Sequence, residues 1–124
     1  MVDKKLILLI HRIKDRTKDG SIIWDRTSEE DAFIASFRNY SIQISIEPTR
    51  NPNYTATDVV LKIFDYSGNI VEEVRDTDFD DDELPNPYEF LNEIYSIARR
   101  QAMGVDKAID TLLEELTKDD DIPF

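Results

Sequence analysis

The sequence predicts an α+β domain. It has an N-terminal helix, an antiparallel β-meander of three to five strands, and two C-terminal helices packed on one sheet face. Three observations predict this. Apolar residues recur at helical spacing near both ends of the chain. The middle alternates apolar and polar residues with period two, as half-buried strands do. Tyr66-Ser67-Gly68-Asn69 stands as a turn between two apolar runs, the pattern of a hairpin. A meander of this kind needs helices to cover one face.

Length and composition set the outer bounds. A chain of 124 residues is one domain by size and long enough for a core without staples. We divide it into a single α+β domain over 1–116 and an acidic C-terminal tail over 117–124. Its hydrophobic content of 40% and charged content of 34% suit a soluble globular protein. The longest early apolar run, Leu6 to Ile10, is far shorter than the ~20 residues of a membrane span. It stops at His11-Arg12 with no small-residue cleavage site, so no export signal is expected. Without cysteine there is no disulfide, thiolate nucleophile or sulfur metal site. The expected setting is the cytoplasm of a bacterium or a phage-infected cell.

Taken in order, residues 3–17 read as an amphipathic helix, with Leu6, Leu9, Ile10 and Ile13 on one side and Gly20 as its stop. His11, the single histidine, lies beside that stripe and reads as packing or surface. Ser21 to Trp24 is a short apolar element, assigned as a strand. Trp24 is expected in the core, its N–H held by a backbone acceptor. Phe33, Ala35 and Phe37 fall on one side of residues 32–38. Tyr40, Ile42, Ile44 and Ile46 alternate with Ser41, Gln43, Ser45 and Glu47, which gives a half-buried strand. Pro48 to Tyr54 is a loop. Val59 to Phe64 is a second strong strand, and Ile70 to Val74 pairs back on it.

Asp76 to Glu83 is an acidic run that begins like a calcium loop. The loop pattern wants Gly where Asp81 stands and Glu where Pro87 stands, so an EF-hand is not expected. The run reads as a solvated connection from sheet to helix. Asn86 is placed as an N-cap, Pro87 in the first turn, and Glu89 as the closing member of a capping-box-like arrangement. Leu91, Ile94, Tyr95, Ala98 and Ala102 form the next apolar face, and Gly104 ends or bends the helix. Asp106 is read as the cap of a further helix. Its stripe is Val105, Ala108, Ile109, Leu112, Leu113 and Leu116. The stripe is expected in the core, with a homodimer seam as its alternative use. Arg99 and Arg100 are expected as surface charges answering the acidic loop or the helix C-terminus.

The chain carries no Gly-rich phosphate loop, nucleophile elbow, zinc-ligand spacing or histidine dyad. We therefore expect no enzyme, no catalytic residues, no metal and no cofactor. The net charge of −12 repels phosphates, so no direct nucleic-acid binding is expected either. The tail accounts for −2 of that charge and leaves −10 on residues 1–116.

The specific signal is Asp119-Asp120-Asp121-Ile122-Pro123-Phe124. Such a segment is built as a plug. The Phe124 ring can enter an apolar pocket while a terminal carboxylate takes charge-assisted hydrogen bonds from an Arg or Lys at its rim. Pro123 fixes its own φ and keeps Ile122 extended, which lowers the ordering cost of binding. Asp119, Asp120 and Asp121 then face basic surface around the pocket. At average amino-acid usage six such residues in one place recur by chance in well under about one chain in a million.

This order of residues resembles the C-terminal tip of bacterial single-stranded DNA-binding protein. The resemblance covers the tip alone, since that family's body is an OB-fold with a basic, aromatic groove. In that family the tip docks on replication, repair and recombination enzymes: helicases of the primosomal and RecQ types, exonuclease I, the RecO mediator and the polymerase chi subunit. It implies that Phe124 and its carboxylate are the anchor. Ile122 and Pro123 become the apolar shoulder, and Asp119 to Asp121 the contacts to basic surface. The body loosely resembles small uncharacterised bacterial proteins. The expected function is a non-enzymatic interaction protein in genome maintenance, recruited to such an enzyme or blocking it. Two alternatives use the body instead: a small structural or regulatory subunit binding through a sheet face or helix stripe, and a DNA mimic using the acidic surface.

Overall fold

The computed structural model describes residues 3–51, 53 and 55–118. Helix α1 (Lys4–Lys18) leads into strands β1 (Asp25–Arg26), β2 (Ala32–Ser36), β3 (Tyr40–Pro48), β4 (Thr57–Asp65) and β5 (Ile70–Arg75). A 3-10 turn (Asp76–Asp78) and helices α2 (Pro87–Met103) and α3 (Val105–Lys118) complete the order. The strands form one five-stranded antiparallel sheet in the order β1-β2-β3-β4-β5. The α+β class, the N-terminal helix, the antiparallel meander and the two C-terminal helices are those the sequence predicts, but of the C-terminal pair it is α2 that packs on the sheet face and not α3.

Alternation on β3 fixes the register. Phe33, Ile44, Leu61 and Val74 line up across β2 to β5, and all are buried. A one-residue slip would turn that row towards solvent. Leu91, Ile94 and Ala98 of α2 and Ile10 and Ile13 of α1 close over this face. The Asp3 carboxylate starts α1 by accepting the Lys5 backbone N–H at 2.9 Å, and Arg16 and Lys18 favour its C-terminal end. Gly20, at φ 82, turns the chain back so that the Ile22 N–H donates to the Arg16 carbonyl. Trp24 is buried between helix and sheet.

No helix among the described residues covers the opposite face, yet its central row Ala32, Ser45, Val60 and Arg75 is buried. Small side chains lie beneath long charged ones. Glu47 accepts from the Ser45 hydroxyl at 2.7 Å and pairs with Lys62 at 2.9 Å. Arg75 pairs with the buried Asp58 at 3.0 Å, donates to the Pro48 carbonyl, and lies 3.5 and 3.6 Å from Glu47 and Glu73. Arg50 extends the lattice to Glu73 and Asp78. Burial alone pushes the Glu47 carboxyl up. Hydrogen bonds from Lys62 and Ser45, with the charge of Arg75, outweigh it and hold it below its ordinary value.

Several local expectations are corrected. The expected strand over Ser21 to Trp24 is not formed; the strand lies just after it, at Asp25–Arg26, because only those two residues pair with β2. Trp24 is in the core as expected, but its indole N–H donates to the Thr17 hydroxyl at 3.1 Å rather than to backbone. Its backbone N–H donates to the Gln101 side chain at 2.8 Å. Asn86 precedes α2 but sits in the left-handed region at φ 50 and makes no side-chain cap. A true N-cap is extended, so in this conformation the side chain does not reach the helix N–H groups. Phe37 lies past the end of β2 and is exposed. Thr117 and Lys118, read as the start of the tail, belong to α3.

The acidic run is also less solvated than expected. Asp76 is buried and accepts the Val59 N–H at 2.8 Å, while Asp78 accepts the Arg75 N–H at 2.8 Å. Phe79 and Leu84 join the core. Those contacts tie the run to β4 and β5, so only part of it meets water.

Candidate interaction surface

The tail residues Asp119, Asp120, Asp121, Ile122, Pro123 and Phe124 lie outside the described residues. The structure places the element that leads into them. Helix α2 stops at Gly104, which takes φ 64 and donates its N–H to the Arg100 and Gln101 carbonyls. That is the left-handed cap for which glycine is suited. Helix α3 restarts at once, with the Ala108 N–H on the Gly104 carbonyl. Asp106 sits in its first turn and pairs with Arg100 across the joint, so Arg100 answers a local carboxylate.

The stripe of α3 corrects the core expectation. Ile109, Leu112, Leu113 and Leu116 are 45%, 55%, 58% and 62% exposed. No apolar side chain of α3 is among the buried core of the domain. Helices α1 and α2 already occupy the covered face of the sheet, and the main contact of α3 among the described residues is with α2. At 3.6 residues per turn, Val105, Ala108, Ile109, Leu112, Leu113 and Leu116 share one side of the helix. Asp106 and Asp110 border that side on one edge, and Glu115 borders it on the other. Lys107 and Glu114 lie on the back.

Elsewhere the surface offers smaller features. A cleft of about 430 Å³ lies between the 3-10 turn and the start of α2, with Asp76, Asp81, Tyr88 and Glu89 in its walls. Burial pushes the Asp76 carboxyl up, and the hydrogen bond from the Val59 N–H only partly offsets it. At the turn end of the sheet, Phe37, Tyr40 and Tyr66 are exposed together beside Arg38. Alternation puts Phe37 on one side with Phe33 and Ala35, and Tyr66 in a turn, which does not bring out this grouping. His11 is exposed with its ring edge-on to Phe90, centroids 4.9 Å apart, which is the packing role expected of it.

Among the described residues, no helix is long and apolar enough to cross a membrane. Three comparisons with known proteins agree: no family model, no curated protein and no solved structure matches the chain.

Proposed function

We propose that this chain is a non-enzymatic interaction protein whose tail imitates the tip of single-stranded DNA-binding protein. It docks on a replication, repair or recombination enzyme that reads that tip. The observation that carries the reading is the residue order Asp119 to Phe124, placed directly after an exposed helix. Phe124 supplies the ring, Ile122 and Pro123 the rigid shoulder, and the three aspartates the attraction to basic surface. An acidic body of this charge does not compete for DNA, which suits a protein that meets the enzyme rather than its substrate.

Delivery of the body to the enzyme and occlusion of the tip site both follow from one docking event. The open sheet face is a poorer candidate for binding, because its charged side chains already pair with one another. The DNA-mimic alternative also has less free surface charge than the sequence suggests, since Asp76 is buried and Asp78 pairs with Arg50.

The test is direct binding to exonuclease I at low and high salt. Deleting Phe124 abolishes capture, and affinity of the intact chain falls as salt rises. The reading requires a free carboxylate on Phe124, so a Gly-Ser extension after it also abolishes capture while leaving the ring. Unchanged capture by both variants defeats the reading. Broad loss on neutralising Asp80, Asp81 and Asp82, with no dependence on Phe124, favours the mimic.

A further inference from the structure

We infer that α3 is the second half of the docking element. Its apolar stripe seats in an apolar groove, rimmed by Lys and Arg, on the same protein that takes the tail. This rests on the tail reading above and extends it from six residues to the C-terminal helix.

The stripe is a contiguous apolar strip on a helix of 14 residues, about 21 Å long. The fold uses none of its large side chains in the core. Exposed apolar strips of this kind mark contact sites, and an amphipathic helix lying in a groove is a standard recognition mode. Charge selects the occupant. With Asp106 paired to Arg100, carboxylates still border the stripe on both edges, Asp110 on one and Glu115 on the other, and the whole chain carries −12. A second copy of the chain would set acidic borders against acidic borders, which costs rather than gains energy. A groove with basic rims meets both edges favourably. It is also the surface that the aspartates of the tail require.

Connectivity sets the geometry. Leu116 and Phe124 are separated by eight residues, a reach of at most roughly 26–29 Å when extended. The groove therefore lies within that distance of the pocket that takes Phe124. Two contacts joined by so short a connection act at high effective concentration. Together they bind far more tightly than the tip alone.

The experiment titrates four ligands on purified tip-reading enzymes in parallel: exonuclease I, a RecQ-type helicase, the RecO mediator and the polymerase chi subunit. The ligands are the hexapeptide of residues 119–124, the full chain, a Leu112→Gln/Leu116→Gln chain and a chain lacking Phe124. On at least one enzyme the full chain should bind about tenfold or more tighter than the hexapeptide. The double variant should fall to the hexapeptide's level with an unchanged urea midpoint. A full chain no tighter than the hexapeptide on all four enzymes overturns the groove and leaves the tail reading standing. So does a double variant that binds like the full chain. Absence of binding by every ligand overturns both. Sedimentation at twice 14.4 kDa that the double variant abolishes assigns the stripe to a second copy and overturns the inference.

Discussion

Leu91→Ala and Leu112→Ala apply one chemical change to two helices that the sequence treats alike. Leu91 on α2 is fully buried, while Leu112 on α3 is 55% exposed. Removing a fully buried leucine loses its transfer energy and leaves a cavity, together about 2–5 kcal/mol. At Leu112 under half of the transfer energy is at stake and no enclosed cavity forms. The loss is at most about 1 kcal/mol, offset by a few tenths because alanine is the better helix former. Urea unfolding reads both, since Trp24 is the only tryptophan and is buried. With a slope of about 1.5 kcal/mol per molar, Leu91→Ala lowers the midpoint by about 1.3–3.3 M. Leu112→Ala lowers it by less than about 0.7 M on the same slope. Equal falls for the two variants would mean that the α3 stripe is packed, and the case for α3 as a docking helix would lose its basis.

Other expectations concern the body. Asp58→Ala strips the closest partner from the buried Arg75 guanidinium, which keeps Glu47 and Glu73 at 3.5 and 3.6 Å. The cost is about 2–4 kcal/mol in urea unfolding, and a loss under about 0.5 kcal/mol would show that the lattice does not seal the open face. Thr17→Val removes the acceptor for the Trp24 indole N–H and should cost about 1–3 kcal/mol by the same assay, whereas a neutral result would mean that water replaces the hydroxyl. Asp76 has a folded pKa above its ordinary value of 3.8, so the native state binds this proton more tightly than the unfolded state. Its contribution is full below 3.8 and is lost as pH rises through the raised folded value. Asp76→Asn should flatten that part of the stability–pH curve, and an unaltered curve would contradict the assignment.

Much of the body could be read from the residues because local and global signals agree there. The alternation of Tyr40 to Glu47 has one helix-covered face available, and Ile42 and Ile44 take it. Gly104 breaks the helix because the joint needs a positive φ. Cap chemistry at Asn86 was misread because residue type does not report the backbone conformation imposed by neighbours. The indole partner was misread for a related reason. Thr17 lies only seven residues before Trp24, but the two meet only after Gly20 reverses the chain.

The α3 stripe is the instructive case. Its periodicity is as clean as that of α2, and periodicity reports an apolar side without saying what covers it. Space could have decided the matter. Five strands at about 4.8 Å span about 19 Å, and helices of about 10 Å diameter fill that width in pairs. With α1 and α2 in place, a third helix has no sheet left to cover.

The most direct measurement is displacement. A labelled tip peptide of single-stranded DNA-binding protein is bound to exonuclease I, and this protein is titrated in, with and without Phe124. The account predicts displacement by the intact chain and none by the shortened one. Failure of the intact chain to displace the peptide, or equal displacement by both forms, would contradict it.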